Sequence, residues 1–117
     1  MATTSSPTKA WTRLLGSYSS EEALAVTTGT DGAIYLAGRT YGSLDGQTAS
    51  GGGDAFLTKY NADGTKVWTR LLGSTTYDRA YGLATGTDGA IYIAGYTDGS
   101  FDGQTFSGGG DAFLTKY

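Results

Sequence analysis

Hydrophobic and polar residues alternate in short runs along the chain, and glycine or an Asp-Gly pair closes most of the runs. In the second half, the runs with this pattern are Lys66–Leu72, Arg79–Thr85, Ala90–Thr97 and Asp111–Tyr117. Alternation with a period of two and many β-branched and aromatic residues are typical of β-strands. Twenty glycines and a single proline fit a turn-rich β protein. The sequence therefore predicts an all-β fold without helix.

The same pattern occurs twice, at a constant offset of 57 residues that takes Trp11 to Trp68. Between Lys9–Tyr60 and Lys66–Tyr117, 15 of the 52 aligned positions differ, and no gap is needed. Internal repeats of this length are typical of propellers and solenoids, whose units bury their apolar faces against neighbouring units. The chain is therefore predicted to contain two tandem units.

Each unit is predicted to contain four strands, named D, A, B and C in the order of the four runs above. Asp-Gly turns join A to B at residues 87–89 and C to D at residues 61–65, while the longer stretch 98–110 joins B to C. Four antiparallel strands with short turns form a blade of a β-propeller. A parallel β-helix is the alternative, but its coils have shorter strands and do not need two Asp-Gly hairpins in each repeat.

Four segments carry a resemblance to a known family: residues 51–65 (GGGDAFLTKYNADGT), 68–73 (WTRLLG), 77–84 (YDRAYGLA) and 88–97 (DGAIYIAGYT). In sequence and order they resemble the SBBP β-propeller repeat of bacterial proteins, and the resemblance covers nearly all of the chain after Pro7. The resemblance implies propeller blades that belong to large, extracytoplasmic proteins and share no enzymatic activity.

The predicted order of the strands divides the chain into three segments. Residues 1–8 are expected to be a disordered tail. Residues 9–60 are expected to contain a D strand with strands A, B and C of blade one, and residues 61–117 the D strand of blade one with strands A, B and C of blade two. The first D strand and the last C strand have no partners within the chain, and exposed strand edges recruit other chains.

Two blades are too few to close a ring, so we expect copies of the chain to join head to tail, the first D strand of one copy beside the last C strand of the next. The residues expected at this closure are Lys9, Trp11, Arg13, Leu15, Asp111, Phe113, Thr115 and Tyr117. Two blades per copy predict a homotetramer of eight blades, with a homotrimer of six as the alternative. The near-identical units and the way the sequence begins and ends also indicate an excised or engineered piece.

Composition excludes several classes of function. The net charge is -3 and no cluster of Lys or Arg occurs, so nucleic acid is not expected as a partner. The chain has neither histidine nor cysteine, which removes Ser-His-Asp triads, cysteine nucleophiles and the commonest zinc ligands. The only glutamates, Glu21 and Glu22, are adjacent and would point to opposite faces of a strand, which does not suit a glycosidase. We expect no enzyme, no cofactor, no membrane segment and a soluble chain without an export signal.

Strand directions place the D-to-A and B-to-C connections on one face of the blades, and many differences between the units lie there. Scaffolds with recognition loops vary in this way. The residues expected to form a face for a glycan or protein ligand are Tyr18, Arg39, Tyr41, Tyr77, Arg79 and Tyr96, together with Asp98 and Phe101. Drift in loops with few packing contacts explains the same differences without a ligand.

Six Asp-Gly pairs raise the question of calcium, for which Asp98 and Asp102 are the candidates. Calcium needs six to eight convergent oxygen atoms, and none of these stretches has the spaced acidic residues of an EF-hand loop. Aspartate before glycine is also a common turn residue, which accounts for most of the pairs. The sequence thus leads to two hypotheses: a scaffold that closes a ring from identical chains, and a lectin-like or protein-binding module that uses the loop face.

Overall fold

Seven β-strands in two antiparallel sheets make up the computed structural model, which describes residues 6–49 and 51–117. The first sheet contains, in spatial order, β1 (Glu21–Thr28), β2 (Ile34–Thr40), β3 (Asp54–Tyr60) and β4 (Lys66–Leu72). The second contains β5 (Asp78–Thr85), β6 (Ile91–Thr97) and β7 (Asp111–Lys116). These two ranges contain no helix, so the predicted all-β class is confirmed, and accordingly no helix in them is long and apolar enough to cross a membrane.

The first sheet has all four strands of a blade, and the second has three. Blade one consists of β1 to β4, which are the predicted strands A, B, C and D, and blade two consists of β5 to β7, the predicted A, B and C. In both sheets the spatial order follows the chain order, and every neighbouring pair is antiparallel. β7 therefore has an open edge, because no strand lies beyond it in the part of the chain that the structure describes.

Asp-Gly turns form the hairpins, as the sequence predicts. Between β1 and β2, the carboxylate of Asp31 accepts a hydrogen bond from the backbone N–H of Ala33 at 3.0 Å, and Gly32 has a φ of 83°. Asp88 and Gly89 repeat this geometry between β5 and β6. A side chain with a Cβ is strained at such a φ, so glycine is needed at the second position of the turn.

The two blades pack face to face across a shared hydrophobic core. We call the surface of blade one that meets blade two the trailing face, and the surface of blade two that meets blade one the leading face. Every blade has both surfaces, so blade one also has a leading face and blade two also has a trailing face. The trailing face is defined by Tyr35, Ala37 and Leu57, and the leading face by Leu83, Ile91 and Ile93. Trp68 packs against this core with its ring 6.2 Å from that of Tyr35. Each blade thus covers one face of its neighbour.

Residues 9–15 form no strand within the single chain, although the sequence predicts a D strand there. The segment is exposed up to Leu14, which has 95% of its surface exposed. Arg13 ties it to blade one by donating a hydrogen bond from Nε to the carbonyl oxygen of Gly64 at 2.9 Å. A strand requires a partner for its backbone groups, and no strand of the described chain pairs with this segment. The first five residues of the predicted tail lie outside the described residues.

Candidate functional site

The complete edge of blade one shows how this fold holds a fourth strand. β4 pairs with β3 along its length, and Asp45, in the connection from β2 to β3, reaches over the pair. The carboxylate of Asp45 accepts hydrogen bonds from Lys66 Nζ at 2.7 Å and from Thr69 Oγ1 at 2.5 Å. The hydroxyls of Thr58 and Thr69 lie 2.9 Å apart. We call Asp45, Thr58, Lys66 and Thr69 the clasp.

The clasp is a charged contact in a partly buried place. Burial raises the pKa of Asp45, but the hydrogen bonds from Lys66 and Thr69 and the positive charge of Lys66 lower it by more, so the pKa lies below its ordinary value. The carboxylate is therefore ionised at neutral pH. Hydrogen bonds to ionised groups are stronger than those between neutral groups, so the clasp fastens β4 to the loop as well as to β3.

The corresponding edge of blade two is open. A groove of about 510 Å³ lies between β7 and the connection from β6 to β7, and we call it the β7 groove. Its walls include Asp102 and Thr115. These residues stand 57 positions after Asp45 and Thr58 of the clasp. The β7 groove therefore contains one half of a second clasp.

Side chains at this open edge are more exposed than their counterparts in blade one. Leu114 is 72% exposed, whereas Leu57, the same residue one repeat earlier, is fully buried. Tyr117 is 43% exposed. Phe113 stays half-buried because it packs edge-on against Phe101, with ring centroids 5.4 Å apart. A fourth strand and a further blade would cover the exposed positions.

The structure places the eight predicted closure residues in two separate groups. Lys9, Trp11, Arg13 and Leu15 lie in the N-terminal segment, and Asp111, Phe113, Thr115 and Tyr117 lie on or directly after β7. No strand pairing joins the two groups within the described chain. The guanidinium of Arg13 lies 5.2 Å from the ring of Trp11, and Arg70 lies 5.2 Å from Trp68 in β4. The unpaired segment thus repeats a side-chain arrangement of β4.

A second candidate site lies where the loops of the two blades meet. A cleft of about 540 Å³, which we call the tyrosine cleft, is lined by Tyr41, Tyr77, Arg79, Tyr81, Tyr96 and Asp98. Gly53 accepts a hydrogen bond from the N–H of Asp78 at 2.8 Å and so joins the B-to-C connection of blade one to the start of β5. The rings of Tyr41 and Tyr77 meet edge-on with centroids 6.5 Å apart. The two kinds of connection therefore share one face, as the strand directions predict.

Hydrogen bonds within the tyrosine cleft orient its polar groups. Arg79 donates a hydrogen bond from Nη1 to Tyr81 Oη at 3.1 Å, and this bond raises the pKa of Arg79. Tyr96 Oη donates a hydrogen bond to the carboxylate of Asp98, which raises the pKa of Tyr96. The cleft therefore presents phenol rings, a guanidinium that donates hydrogen bonds and a carboxylate that accepts them.

Comparison with known proteins agrees with this architecture. The family described as "SBBP: Beta-propeller repeat" matches residues 67–102, which run from β4 through β6 into the next connection. Residues 67–102 are therefore similar to an SBBP β-propeller repeat. This match confirms the resemblance seen in the sequence, and it supports a structural or binding module. The SBBP match crosses from the last strand of blade one into blade two, so it includes the junction between them.

The chain is also similar to the "Regulatory protein FlaEY" of Caulobacter vibrioides, with 30% identity over 118 residues. The similarity covers 92% of this chain and 12% of the relative. The chain therefore spans about an eighth of the length of that protein.

Most of the predicted ligand-face residues lie at the tyrosine cleft. Tyr41, Tyr77, Arg79, Tyr96 and Asp98 line it. Arg39 lies beside it, with its guanidinium 4.7 Å from the ring of Tyr41. Tyr18 is fully exposed and is not among the lining residues, and Phe101 lies in the β7 groove. The loops and strand ends of this face thus bring five of the eight predicted residues together.

Sequence reasoning missed Tyr81 and the role of Asp45. Tyr81 lies inside β5, whereas ligand residues were expected in loops and at strand ends. A signal was present, because the first unit has Leu24 at this position. The Asp-Gly pattern predicts only a turn at Asp45, and nothing in the local pattern shows that its loop reaches β4.

The two calcium candidates lie at different places. Asp98 lines the tyrosine cleft, where Tyr96 donates a hydrogen bond to it, and Asp102 lines the β7 groove. Within residues 6–49 and 51–117, no group of three or more His, Cys, Asp or Glu side chains is placed to hold a metal ion. The structure therefore gives Asp98 and Asp102 separate surroundings rather than a common site.

Proposed function

We propose that the chain is a non-enzymatic structural module whose copies assemble head to tail into a closed β-propeller ring. In this ring, residues 9–15 of one copy form the fourth strand of blade two of the next copy, beside β7. The observation that carries the proposal is the half of a clasp in the β7 groove, where Asp102 and Thr115 repeat Asp45 and Thr58.

The residues that would complete the second clasp are present in the chain. Lys9 and Thr12 stand 57 positions before Lys66 and Thr69. A strand with this sequence, paired to β7 in the register of β4, brings the ammonium group of Lys9 and the hydroxyl of Thr12 to Asp102. The hydrogen bonds of the first clasp, at 2.7 and 2.5 Å, then form again between copies.

The exposed faces of the chain repeat the faces that pack inside it. On the leading face of blade one, Val26 is 65% exposed, whereas its counterpart Leu83 packs against the core. On the trailing face of blade two, Leu114 is 72% exposed, whereas Leu57 is fully buried. A contact between copies would therefore bury the same kinds of side chain as the contact between blades. Such a head-to-tail contact forms a ring when its rotation closes.

Two blades per copy restrict closed rings to even numbers of blades. We favour a tetramer with eight blades, and a trimer with six is the alternative. With 12.1 kDa for each chain, the tetramer has a mass of about 48 kDa (4 × 12.1) and the trimer about 36 kDa (3 × 12.1).

A charge swap across the second clasp tests the proposal by light scattering and native mass spectrometry. Lys9→Asp sets a carboxylate beside Asp102, and Asp102→Lys sets an ammonium group beside Lys9. Each single variant is expected to shift the protein to 12.1 kDa, because like charges in contact at an interface cost several kcal/mol. The double variant restores opposite charges and is expected to recover the ring. A folded wild-type monomer, or single variants that assemble as well as wild type, would contradict the proposal.

The tyrosine cleft favours a second function, the binding of a glycan or protein at the loop face. Ring assembly is compatible with this role. Glu22, the counterpart of Arg79 in the first unit, keeps 53% of its side chain exposed although blade two packs beside blade one. By the same geometry, a further blade would leave Arg79 accessible and would cover much of Tyr96, because Arg39, the counterpart of Tyr96, keeps 19% of its side chain exposed.

A further inference from the structure

The tyrosine cleft combines hydrogen-bond donors, acceptors and aromatic rings in one small space. Four of its six lining residues are tyrosines, and the other two are Arg79 and Asp98. The formal charges of Arg79 and Asp98 cancel, so the lining has no net charge. The volume of about 540 Å³ falls within the range of small-molecule sites, which is roughly 300–1,000 Å³.

This lining favours an uncharged ligand that carries several hydroxyl groups. A guanidinium only donates hydrogen bonds, a carboxylate only accepts them, and a phenol hydroxyl does both. Sugar hydroxyls both donate and accept hydrogen bonds, so they suit the guanidinium, the carboxylate and the phenols. An anion would be repelled by the carboxylate of Asp98, and a cation would be repelled by the guanidinium of Arg79. The C–H faces of a pyranose ring pack flat against phenol rings, and tyrosine provides this contact area at a low cost in conformational entropy.

We propose that the tyrosine cleft binds a neutral saccharide of one or two sugar residues, with one site in each chain. This inference rests on the second function named above, binding at the loop face. It does not depend on ring formation, because all six lining residues belong to one chain.

The first unit does not repeat the cleft. Ser20, Glu22, Leu24 and Arg39 stand at the positions of Tyr77, Arg79, Tyr81 and Tyr96. Glu22 and Arg39 form an ion pair at 3.5 Å, so these two charges satisfy each other. One saccharide site per chain follows. The replacements also provide test variants, because the fold already accommodates them at equivalent positions.

Titration followed by NMR chemical shifts tests the inference. The probes are the methyl glycosides of glucose, galactose and mannose, with maltose and lactose as disaccharides. At least one probe is expected to saturate one site per chain and to shift resonances of the cleft. Tyr81→Leu and Arg79→Glu, which copy the first unit, are each expected to weaken binding roughly tenfold or more. Tyr18→Ala is the matched control, because it removes an exposed tyrosine outside the cleft and should leave the affinity unchanged.

Three results would overturn the inference: no probe binds at millimolar concentration, Tyr81→Leu leaves binding unchanged, or the cleft responds only to glucuronic acid or to a tripeptide offered in parallel. Light scattering on the same samples separates this inference from ring assembly. A ring that binds none of the sugars refutes the saccharide site and leaves the assembly standing. A monomer that binds a sugar in the cleft refutes the assembly and leaves the saccharide site standing.

Discussion

Leu57 and Leu114 occupy the same position in the two units. Replacing Leu57 by alanine should disturb folding, whereas the same replacement at Leu114 should disturb assembly. Leu57 is fully buried in the core between the blades, and Leu114 is 72% exposed in the single chain. Leu57→Ala is expected to lower the free energy of unfolding by about 2–5 kcal/mol, as for other buried leucines. Leu114→Ala removes a side chain that is mostly in water, so the stability of the single chain is expected to change by less than about 0.5 kcal/mol.

In the proposed ring, Leu114 would pack against the leading face of blade one in the neighbouring copy. Complete burial of a leucine side chain contributes about 1.5–3 kcal/mol. The 72% that is exposed in the single chain therefore corresponds to about 1–2 kcal/mol, and the cavity left by alanine adds to the loss. We expect Leu114→Ala to raise the dissociation constant of each interface by about ten- to a hundredfold.

Analytical ultracentrifugation over a dilution series measures the assembly, and urea unfolding of the same variants in the monomeric Lys9→Asp background measures folding. In the dilution series, Leu114→Ala should dissociate at higher protein concentrations than wild type, and its urea midpoint should not change. Leu57→Ala should lower the urea midpoint. The reasoning is refuted if Leu114→Ala does not change the dilution series, or if it lowers the midpoint as much as Leu57→Ala does.

The aspartates of the two clasps lead to the remaining predictions. The lowered pKa of Asp45 contributes stability above the ordinary carboxyl pKa of 3.8, and this contribution is lost as the pH falls through the lower folded-state value. Unfolding of the Lys9→Asp background measured from about pH 5 to about pH 2 should therefore lose less stability on acidification when Asp45→Asn is added; an unchanged pH dependence would argue against the clasp. In the monomeric Lys9→Asp background, Asp102→Asn should leave the free energy of unfolding at neutral pH unchanged. In the chain with native Lys9, Asp102→Asn should increase the fraction of monomer in the dilution series. Equal assembly with and without Asp102→Asn would count against a second clasp.

Local rules of sequence predict much of this fold. The Asp31-Gly32 turn and the alternation on either side of it define a hairpin without reference to the rest of the chain, because its hydrogen bonds and its positive φ are local. Strand β5 begins at Asp78, one residue before the predicted start, where the backbone N–H of Asp78 bonds to Gly53 in the other blade. A contact between distant residues sets this boundary, and periodicity does not encode it.

The candidate sites depend more on long-range contacts and were predicted less completely. Asp45 acts on β4 across 21 and 24 residues of chain, through a loop whose path the pattern does not show. Tyr81 looks like a core residue in sequence, and only the way β5 meets the loops of blade one brings it into the cleft. A strand at residues 9–15 could be predicted from the likeness of this segment to β4. The strand forms only when it pairs with the edge of another strand, and no strand of the described chain pairs with it.

A cysteine pair tests the exchange of strands most directly, because the chain has no native cysteine. Thr58 and Thr69 lie opposite each other in β3 and β4 with their hydroxyls 2.9 Å apart, a position in which cysteines form a disulfide. By the repeat, Thr115 of one copy would face Thr12 of the neighbouring copy in the proposed ring. Oxidation of the Thr12→Cys/Thr115→Cys variant is predicted to give a covalent series in steps of 12.1 kDa that ends at four chains, or at three for the smaller ring. A product that remains at 12.1 kDa after oxidation would contradict the account.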